Sequence, residues 1–263
     1  MRILMIGDIV GNPGREAVRK IVPRLREREN IDAVIANGEN AAGGSGLTPQ
    51  IVQELFSSGV DVVTSGDHAF KKKEISDSIN NNPRLLRPAN YPEGVPGSGV
   101  TVVTVRNQKK IGVINVAGRV FMEALECPFR AAARAAERIR EQTPVIAVDV
   151  HAEATSEKIA LGWYLNGKVS VVAGTHTHVQ TADERILPGD FSTAFITDLG
   201  MTGPVDSVIG RKTEQVLVRF LQHVPVRFDV AEENVQLQGA IVDVDEQSGR
   251  ATAIVRVREC LGS

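Results

Sequence analysis

The chain reads as a mixed α/β protein with two sheets and helices outside both. Three observations predict this. Short β-branched runs alternate with longer amphipathic stretches through the first half, the pattern of an α/β fold. Those short runs are almost wholly apolar, as strands buried on both faces are. After Pro83 the pattern changes to hairpin signals, which places antiparallel strands in the second half. Taken in order, Arg2–Ile6 is expected as a strand, followed by a Gly-rich turn and a helix over Arg15–Glu29. Ala33–Ala36 is the next strand. Thr48-Pro49, an N-cap followed by proline at the first helical position, opens a helix to Ser58. Val60–Thr64 is a third strand and Lys71–Asn80 a third helix.

Val100–Val105 and Ile111–Val116 form a predicted antiparallel hairpin across Asn107-Gln108-Lys109-Lys110, and Phe129–Glu141 is a helix rich in Ala and Arg. Val145–Val150 and Val169–Ala173 are strands. Ile186 and Phe195–Thr197 flank Pro188-Gly189-Asp190, a further hairpin signal. Glu214–Gln222 is a helix, and Gln236–Val244 and Thr252–Arg258 alternate around Gln247-Ser248-Gly249 as a C-terminal hairpin. No repeat, low-complexity tract or linker interrupts the sequence, so residues 1–263 are expected to form a single domain.

Composition narrows the class. Of 263 residues, 42% are hydrophobic and 24% charged, the balance of a globular protein. A net charge of -2 argues against a general nucleic-acid binder, and no stable nucleic-acid partner is expected. Met1-Arg2 runs directly into Ile3-Leu4-Met5-Ile6 without a cleavage site, so no signal peptide is expected. No apolar run is long enough for a membrane span, and Cys127 and Cys260 form no motif. The expected placement is the cytoplasm.

The informative residues stand where strands end. Asp8 follows the first strand, Glu39-Asn40 the second, and Asp67-His68 the third; His151 ends the strand Val145–Val150, and His176 and His178 follow Val169–Ala173. Ligands of open α/β sheets bind at the carboxyl ends of strands, so these five segments are expected on one edge. They hold four of the chain's five histidines. Singly, each has an ordinary reading: Asp8 as a turn residue, Asp67-His68 as a helix cap, His151 as a satisfied sheet-edge histidine. His176-Thr177-His178 is more telling, because alternate residues of an extended segment face the same side.

Together, three imidazoles, three carboxylates and one amide suffice for two metal ions sharing a bridging ligand, for which the longer carboxylate of Glu39 is suited. The imidazole content favours Fe, Mn, Zn or Co over Mg and Ca. The remaining histidine of the group, His68, is free to act as a proton donor. Such a centre attacks phosphorus in line with a hydroxide bridging two cations, which also stabilise charge on the phosphoryl oxygens.

On these residues the chain resembles the calcineurin-like metallophosphoesterases. Gly7-Asp8, Gly38-Glu39-Asn40, Gly66-Asp67-His68, the lone His151 and Gly174-Thr175-His176-Thr177-His178 follow that superfamily's order across essentially the whole chain. Glu39-Asn40-Ala41-Ala42-Gly43-Gly44 and Asp198-Leu199-Gly200-Met201-Thr202-Gly203 look most like the YmdB branch. The resemblance implies a four-layer α-β-β-α sandwich of the metallo-dependent phosphatase type. It also implies a di-iron site, with Mn or Zn as other transition metals it would take, and hydrolysis of 2′,3′-cyclic nucleotides to 3′-nucleotides. By matching position, Asp8, Glu39, Asn40 and His178 would hold one metal and Glu39, Asp67, His151 and His176 the other, with His68 protonating the leaving oxygen. Two departures stand out. The superfamily's Asp-x-His after strand one is Asp8-Ile9-Val10 here, with Asn40 as the replacement ligand, and its Gly-Asn-His is Gly66-Asp67-His68.

Other readings compete. A phosphomonoesterase or protein phosphatase would use the same centre. A non-catalytic nucleotide-binding module would use the Gly7–Gly14 loop, though its spacing matches neither the dinucleotide fingerprint nor a Walker A motif. A metal-dependent regulator would bind RNA or a partner without turnover. Lys71-Lys72-Lys73 reads as a solvated helix start, His223 as structural or exposed, and Gly43-Gly44-Ser45-Gly46 as a turn or a backbone approach to substrate. Met201-Thr202-Gly203 and Asp206-Ser207 are substrate-side candidates on family likeness alone, and Trp163 and Tyr164 read as core or as a contact in a homo-oligomer.

Overall fold

At Gly7 the first strand leaves one neighbour and joins another, and the architecture is arranged around that switch. The computed structural model describes residues 1–189 and 191–262. Its elements are β1 (Arg2–Ile6), β2 (Asp8–Ile9), α1 (Gly11–Arg28), β3 (Ala33–Asn37), α2 (Pro49–Ser57), β4 (Val62–Thr64), α3 (Ile75–Asn81), β5 (Val100–Thr104), β6 (Lys110–Ala117), α4 (Pro128–Arg140), β7 (Ile146–His151), α5 (Thr155–Leu165), β8 (Val171–Thr175), β9 (Arg185–Ile186), β10 (Ala194–Ile196), β11 (Met201–Pro204), α6 (Thr213–Gln222), β12 (Val235–Val244) and β13 (Ala251–Cys260).

In the first sheet β1, β3 and β4 run parallel, and β12 lies antiparallel to β1 with β13 on its far side. The Gly7 N–H donates to Gln238 O at 3.0 Å, the end of β1's contact with β12. One residue on, the Asp8 N–H donates to Gly200 O at 3.1 Å, and β2 pairs with β11, which has entered between it and β12. The second sheet has the order β5-β6-β7-β8-β10-β9; its four central strands are parallel and both edge strands antiparallel.

Strand alternation generates the layers. Leu4 and Ile6 of β1 face outward onto Val18, Ile21, Val22 and Leu25 of α1. Ile3 and Met5 face inward, sharing a core with Val113, Ala147 and Val171 of the second sheet. On that sheet's outer face Ile114, Val148 and Val150 meet Ala132, Ala136 and Ile139 of α4 and Leu161 and Leu165 of α5. The result is the expected α-β-β-α sandwich. Each fully buried Leu or Ile contributes about 1.5–3 kcal/mol to holding it.

Several local expectations hold and others shift. Thr48 Oγ1 accepts from the Ile51 N–H at 3.3 Å with Pro49 next, as an N-cap should. The Gly-rich turn after β1 is itself helical: α1 begins at Gly11, whose N–H donates to Asn40 O at 2.9 Å. Lys71–Lys73 precede α3 instead of opening it. Three elements have no sequence counterpart, the shortest being β2, which lies in the segment expected as a turn. α5 carries buried Glu157 and Lys158 in its first turns, which break the apolar periodicity. β11 contains Gly203 and Pro204, both depleted in strands. Trp163 and Tyr164 are not core residues; both are exposed on α5, under the Arg185 guanidinium and the Lys168 ammonium respectively. The hairpin β9–β10 forms, while Asp190 of its turn signal lies outside the described residues. Among the described residues no helix is long and apolar enough to cross a membrane.

Glycine at position 7 is dictated by the switch, since a Cβ there would lie 2.0 Å from Gly200 O. Gly7→Ala is therefore expected to cost about 1–3 kcal/mol or more by overpacking. Gly94→Ala is the comparison: its φ of +82° is unfavourable for alanine, but nothing lies within 4 Å. Urea unfolding of both variants checks this; a Gly7→Ala midpoint no lower than that of Gly94→Ala would contradict it.

Candidate metal centre

Parallel strands joined by helical crossovers direct their carboxyl ends to one edge, and both sheets contribute there. The first supplies Asp8, Glu39, Asn40, Asp67 and His68, and the second His151, His176 and His178. All eight residues singled out in the sequence meet at the joint between the sheets. Two glycines make the approach possible. A Cβ at Gly66 would lie 1.9 Å from His151 Cδ2, and one at Gly174 would lie 1.8 Å from Thr197 O.

His151 Nε2 lies 3.1 Å from both Glu39 Oε1 and Asp67 Oδ1, and 2.9 Å from His176 Nδ1. One ligand atom from each of these four residues falls within 4.8 Å of the others. Beside them, Asn40 Nδ2 is 3.1 Å from His178 Nε2, 3.4 Å from Glu39 Oε1 and 3.5 Å from Asp8 Oδ1. His178 Nε2 and Asp8 Oδ1 are 3.7 Å apart. Glu39 touches both groups. His68 sits at the mouth, its ring 32% exposed, with Nδ1 2.9 Å from Asn40 Oδ1 and 3.4 Å from Glu39 Oε1. Its backbone N–H donates to Glu39 Oε2 at 3.1 Å. The cleft above, of ≈ 330 Å³, is walled by Val10, Gly44, Glu153, Ile209 and Arg211, a size that suits a small ligand.

His176 and His178 do not lie on an extended segment, contrary to expectation. They follow β8 in a loop with φ of +99° and +66°, so the common facing of alternate residues comes from left-handed backbone and not from strand pleat.

Burial and mutual charge set the electrostatics. Burial pushes the Asp8 carboxyl up to about 6, against the lowering effect of His178 and His151. Burial acts on Glu39 in the same sense, but the charges and hydrogen bonds of His151 and His68 outweigh it and hold Glu39 well below the usual carboxylate range. For Asp67 too, burial is overcome, mainly by the hydrogen bond from His151, and its pKa falls. His151 is raised despite complete burial because Glu39, Asp67 and Asp8 surround it; His68 is raised chiefly by its hydrogen bond to Glu39. His176 is lowered by burial and by the neighbouring His151. His151 Nε2 thus faces two carboxylate oxygens and another imidazole nitrogen, and a single proton cannot satisfy all three. A cation does, so the donor set fits transition metals.

Supporting residues escaped the sequence reading. His151 Nδ1 is 3.0 Å from Thr175 Oγ1, which donates to Asp149 Oδ1 at 2.7 Å, and Asn37 Nδ2 donates to Asp149 Oδ2 at 3.2 Å. Such partners fix a ligand histidine's tautomer and ring plane. Asp149 stands two residues before His151 on the same strand, and that spacing was the available signal. His178 Nδ1 lies 3.0 Å from Ile209 O, and His176 Nε2 is 3.2 Å from Glu153 Oε2. Asp198, which the sequence marked only as part of the Asp198–Gly203 motif and not as a site residue, follows β10 as the other acidic residues follow their strands.

The family model of the YmdB-like protein matches residues 4–257. A Bacillus subtilis protein described as 2′,3′-cyclic-nucleotide 2′-phosphodiesterase is 51% identical over 257 residues, covering 98% of this chain and 96% of its own length. A crystal structure of a hypothetical protein from Thermus thermophilus superposes with a TM-score of 0.91 at 42% identity, covering 99% of each chain. The structure of a novel phosphatase from Mycoplasma pneumoniae gives 0.89 at 32% identity, with 99% of this chain and 93% of that one covered. The fold is that of the metallophosphoesterase-type phosphatases, and the chain belongs to the YmdB-like family.

Proposed function

We propose that the chain is a two-metal phosphodiesterase that hydrolyses 2′,3′-cyclic nucleotides to 3′-nucleotides. The observation that carries this reading is the convergence of Glu39, Asp67, His151 and His176 within 4.8 Å at a cleft whose mouth holds His68. It is supported by 51% identity to the Bacillus subtilis phosphodiesterase. Asp8, Glu39, Asn40 and His178 would hold one metal and Glu39, Asp67, His151 and His176 the other, with iron as the metal and the cytoplasm as the place of action. When bound, the two ions supply an activated water and neutralise charge on the phosphoryl group.

The chain's own residues do the rest. Asn40 would offer its ion the amide oxygen, and that oxygen, 2.9 Å from His68 Nδ1, accepts the Nδ1–H of the protonated ring. With Nδ1 so occupied, His68 Nε2 would carry the transferable proton to the departing ribose oxygen. The hydrogen bond to Glu39 raises the His68 pKa, which favours the protonated ring. Such general acid catalysis is worth about 10²–10⁴-fold.

Three outcomes are expected. Purified protein should carry about two transition-metal ions per chain by elemental analysis, as two ligand sets sharing Glu39 require. Chelation should abolish cyclic-nucleotide hydrolysis in a panel that also contains nucleoside monophosphates and phosphopeptides. One ion per chain, or full activity after chelation, would overturn the two-metal assignment, and preferred turnover of the monoesters would move the function to the phosphomonoesterase reading.

His68→Ala should retain both ions and lose about 10²–10⁴-fold in kcat on cyclic nucleotides. The loss should be much smaller on a nitrophenyl phosphodiester, whose leaving group needs no proton. Equal losses on both substrates would remove His68 from the acid role.

The metal-free protein should be sensitive to pH through Asp8. An unfolded Asp titrates near about 3.9, whereas buried Asp8 is pushed up to about 6. The folded state thus favours the protonated form, and that stability, fully present at low pH, is lost as pH rises through about 6. Relative to Asp8→Asn, the metal-free wild type should lose about 2–3 kcal/mol across this window, at about 1.4 kcal/mol per pH unit. Urea midpoints of both proteins against pH test it, and parallel curves would refute it.

A further inference from the structure

Lys158 and Asp198 form an ion pair that the proposed reaction does not use. Lys158 Nζ lies 2.6 Å from Asp198 Oδ2, and both side chains are only 1% exposed. A buried pair of this kind gains little stability over an apolar pair of the same volume, so its presence asks for another reason. The bonds made by Asp198 supply one. Its Oδ2 also accepts from the Thr177 hydroxyl at 2.7 Å and the Thr177 N–H at 3.2 Å. Its Oδ1 accepts from the Gly200 N–H at 2.8 Å.

Thr177 is the residue between His176 and His178, and those two have φ of +99° and +66°. Residues other than glycine occupy this region only where the surroundings over-determine them. The loop has further ties: the His176 N–H donates to Asp8 Oδ2 at 2.9 Å, and His178 Nδ1 meets Ile209 O. The tie to Asp198 is the one independent of any candidate ligand, and it leads through Lys158 into α5. The lysine stem passes over Gly174, where a Cβ would lie 2.8 Å from Lys158 Cδ. One residue earlier in α5, the Glu157 carboxylate accepts from the N–H groups of Arg119 and Val120 at 3.1 Å and 3.2 Å, just beyond the end of β6. The start of α5 therefore holds two loops at the edge where the centre lies.

We infer that Lys158 and Asp198 are positioning residues that lock Thr177, and through it preset His176 and His178 for metal before any ion arrives. The inference rests on the reading of both histidines as metal ligands. Lys158 presents its ammonium to Asp198 Oδ2 and holds that carboxylate pointed at Thr177; neither residue touches substrate. The consequence is a centre whose affinity is set in part by a helix on the outer face of the second sheet.

The test uses the full-length metal-free protein and Mn²⁺, with four variants. Lys158→Met alone strands a buried charge and risks unfolding the chain, so the informative variants are the doubly neutral Lys158→Met/Asp198→Asn and the near-isosteric Thr177→Val. His176→Ala and His178→Ala are the ligand controls. Mn²⁺ binding is read by calorimetry, the coordination sphere by the visible spectrum of the Co²⁺ form, and loop order by amide hydrogen exchange over residues 174–179. Weakening of Mn²⁺ binding by about 10–100-fold is expected for the double variant, as for loss of other outer partners of ligand histidines, and a smaller loss for Thr177→Val. Faster exchange in the metal-free loop and an altered Co²⁺ spectrum should accompany it, with kcat recovering at saturating metal and KM unchanged. Wild-type Mn²⁺ affinity and loop exchange in both variants, while His176→Ala and His178→Ala lose metal, would overturn the positioning role alone. Unchanged metal binding in the two histidine controls would overturn the ligand reading, and the inference with it.

Discussion

Glu39 is the side chain on which the rest of the centre depends. It is almost completely buried, yet its two oxygens meet His151, Asn40, the His68 ring and the His68 N–H. A carboxylate taken out of water is tolerated only when hydrogen bonds and opposite charge replace its hydration. Glu39 has both, drawn from both sheets. It is consequently the point at which the first sheet's acidic residues and the second sheet's imidazoles become one electrostatic unit. Asp8, without as many donors, has its pKa pushed up by burial to about 6.

The fold supplies what this unit needs by backbone means. Parallel strands bring side chains from distant parts of the chain to one edge, and glycines at 7, 66 and 174 remove the Cβ atoms that would keep the segments apart. Elsewhere the chain follows local preference closely, with apolar strands, a capped α2 and alanine-rich α4. Buried polar groups such as Asp8, Glu39, Asn40, Asp149 and His151 gather at the edge where the centre lies, together with the left-handed backbone of His176, His178 and Ile209. The opposite edge has ordinary partially exposed ion pairs such as Arg2–Asp243 and Lys109–Asp32, which contribute little individually.

Much of this was legible in the sequence because two independent patterns coincide. Apolar runs mark the strands, and acidic or histidine residues stand just past them; Asp8, Glu39, Asp67, His151 and His176 follow that rule. What stayed hidden has specific physical causes. α5 is concealed by Glu157 and Lys158, whose burial depends on partners more than thirty residues away. β11 is concealed by Gly203 and Pro204, which pair with Gln236 and Val235 of β12 although their residue types do not announce a strand. The turn of the His176–His178 loop depends on Asp8, Asp198 and Ile209, so no local pattern could specify it. Pairing of distant segments, and not propensity, decided each of these cases.

The register of β1 against β12 bears on how the molecule comes to exist. Arg2 pairs with Asp243, and Ile6 with Gly239. On a ribosome the first strand emerges long before its antiparallel neighbour, and its other neighbour, β3, cannot by itself cover both edges. Contacts separated by most of the chain length make folding slow, since loop closure must precede any gain from them. The second sheet, built from consecutive segments between residues 100 and 196, has no such wait. A chain stalled before β12 would hold a completed second sheet with three histidines and a first sheet open along β1, an unpaired edge of the kind that recruits other strands. The centre thus closes late in synthesis, when the hairpin of β12 and β13 seals the edge that Asp8 follows.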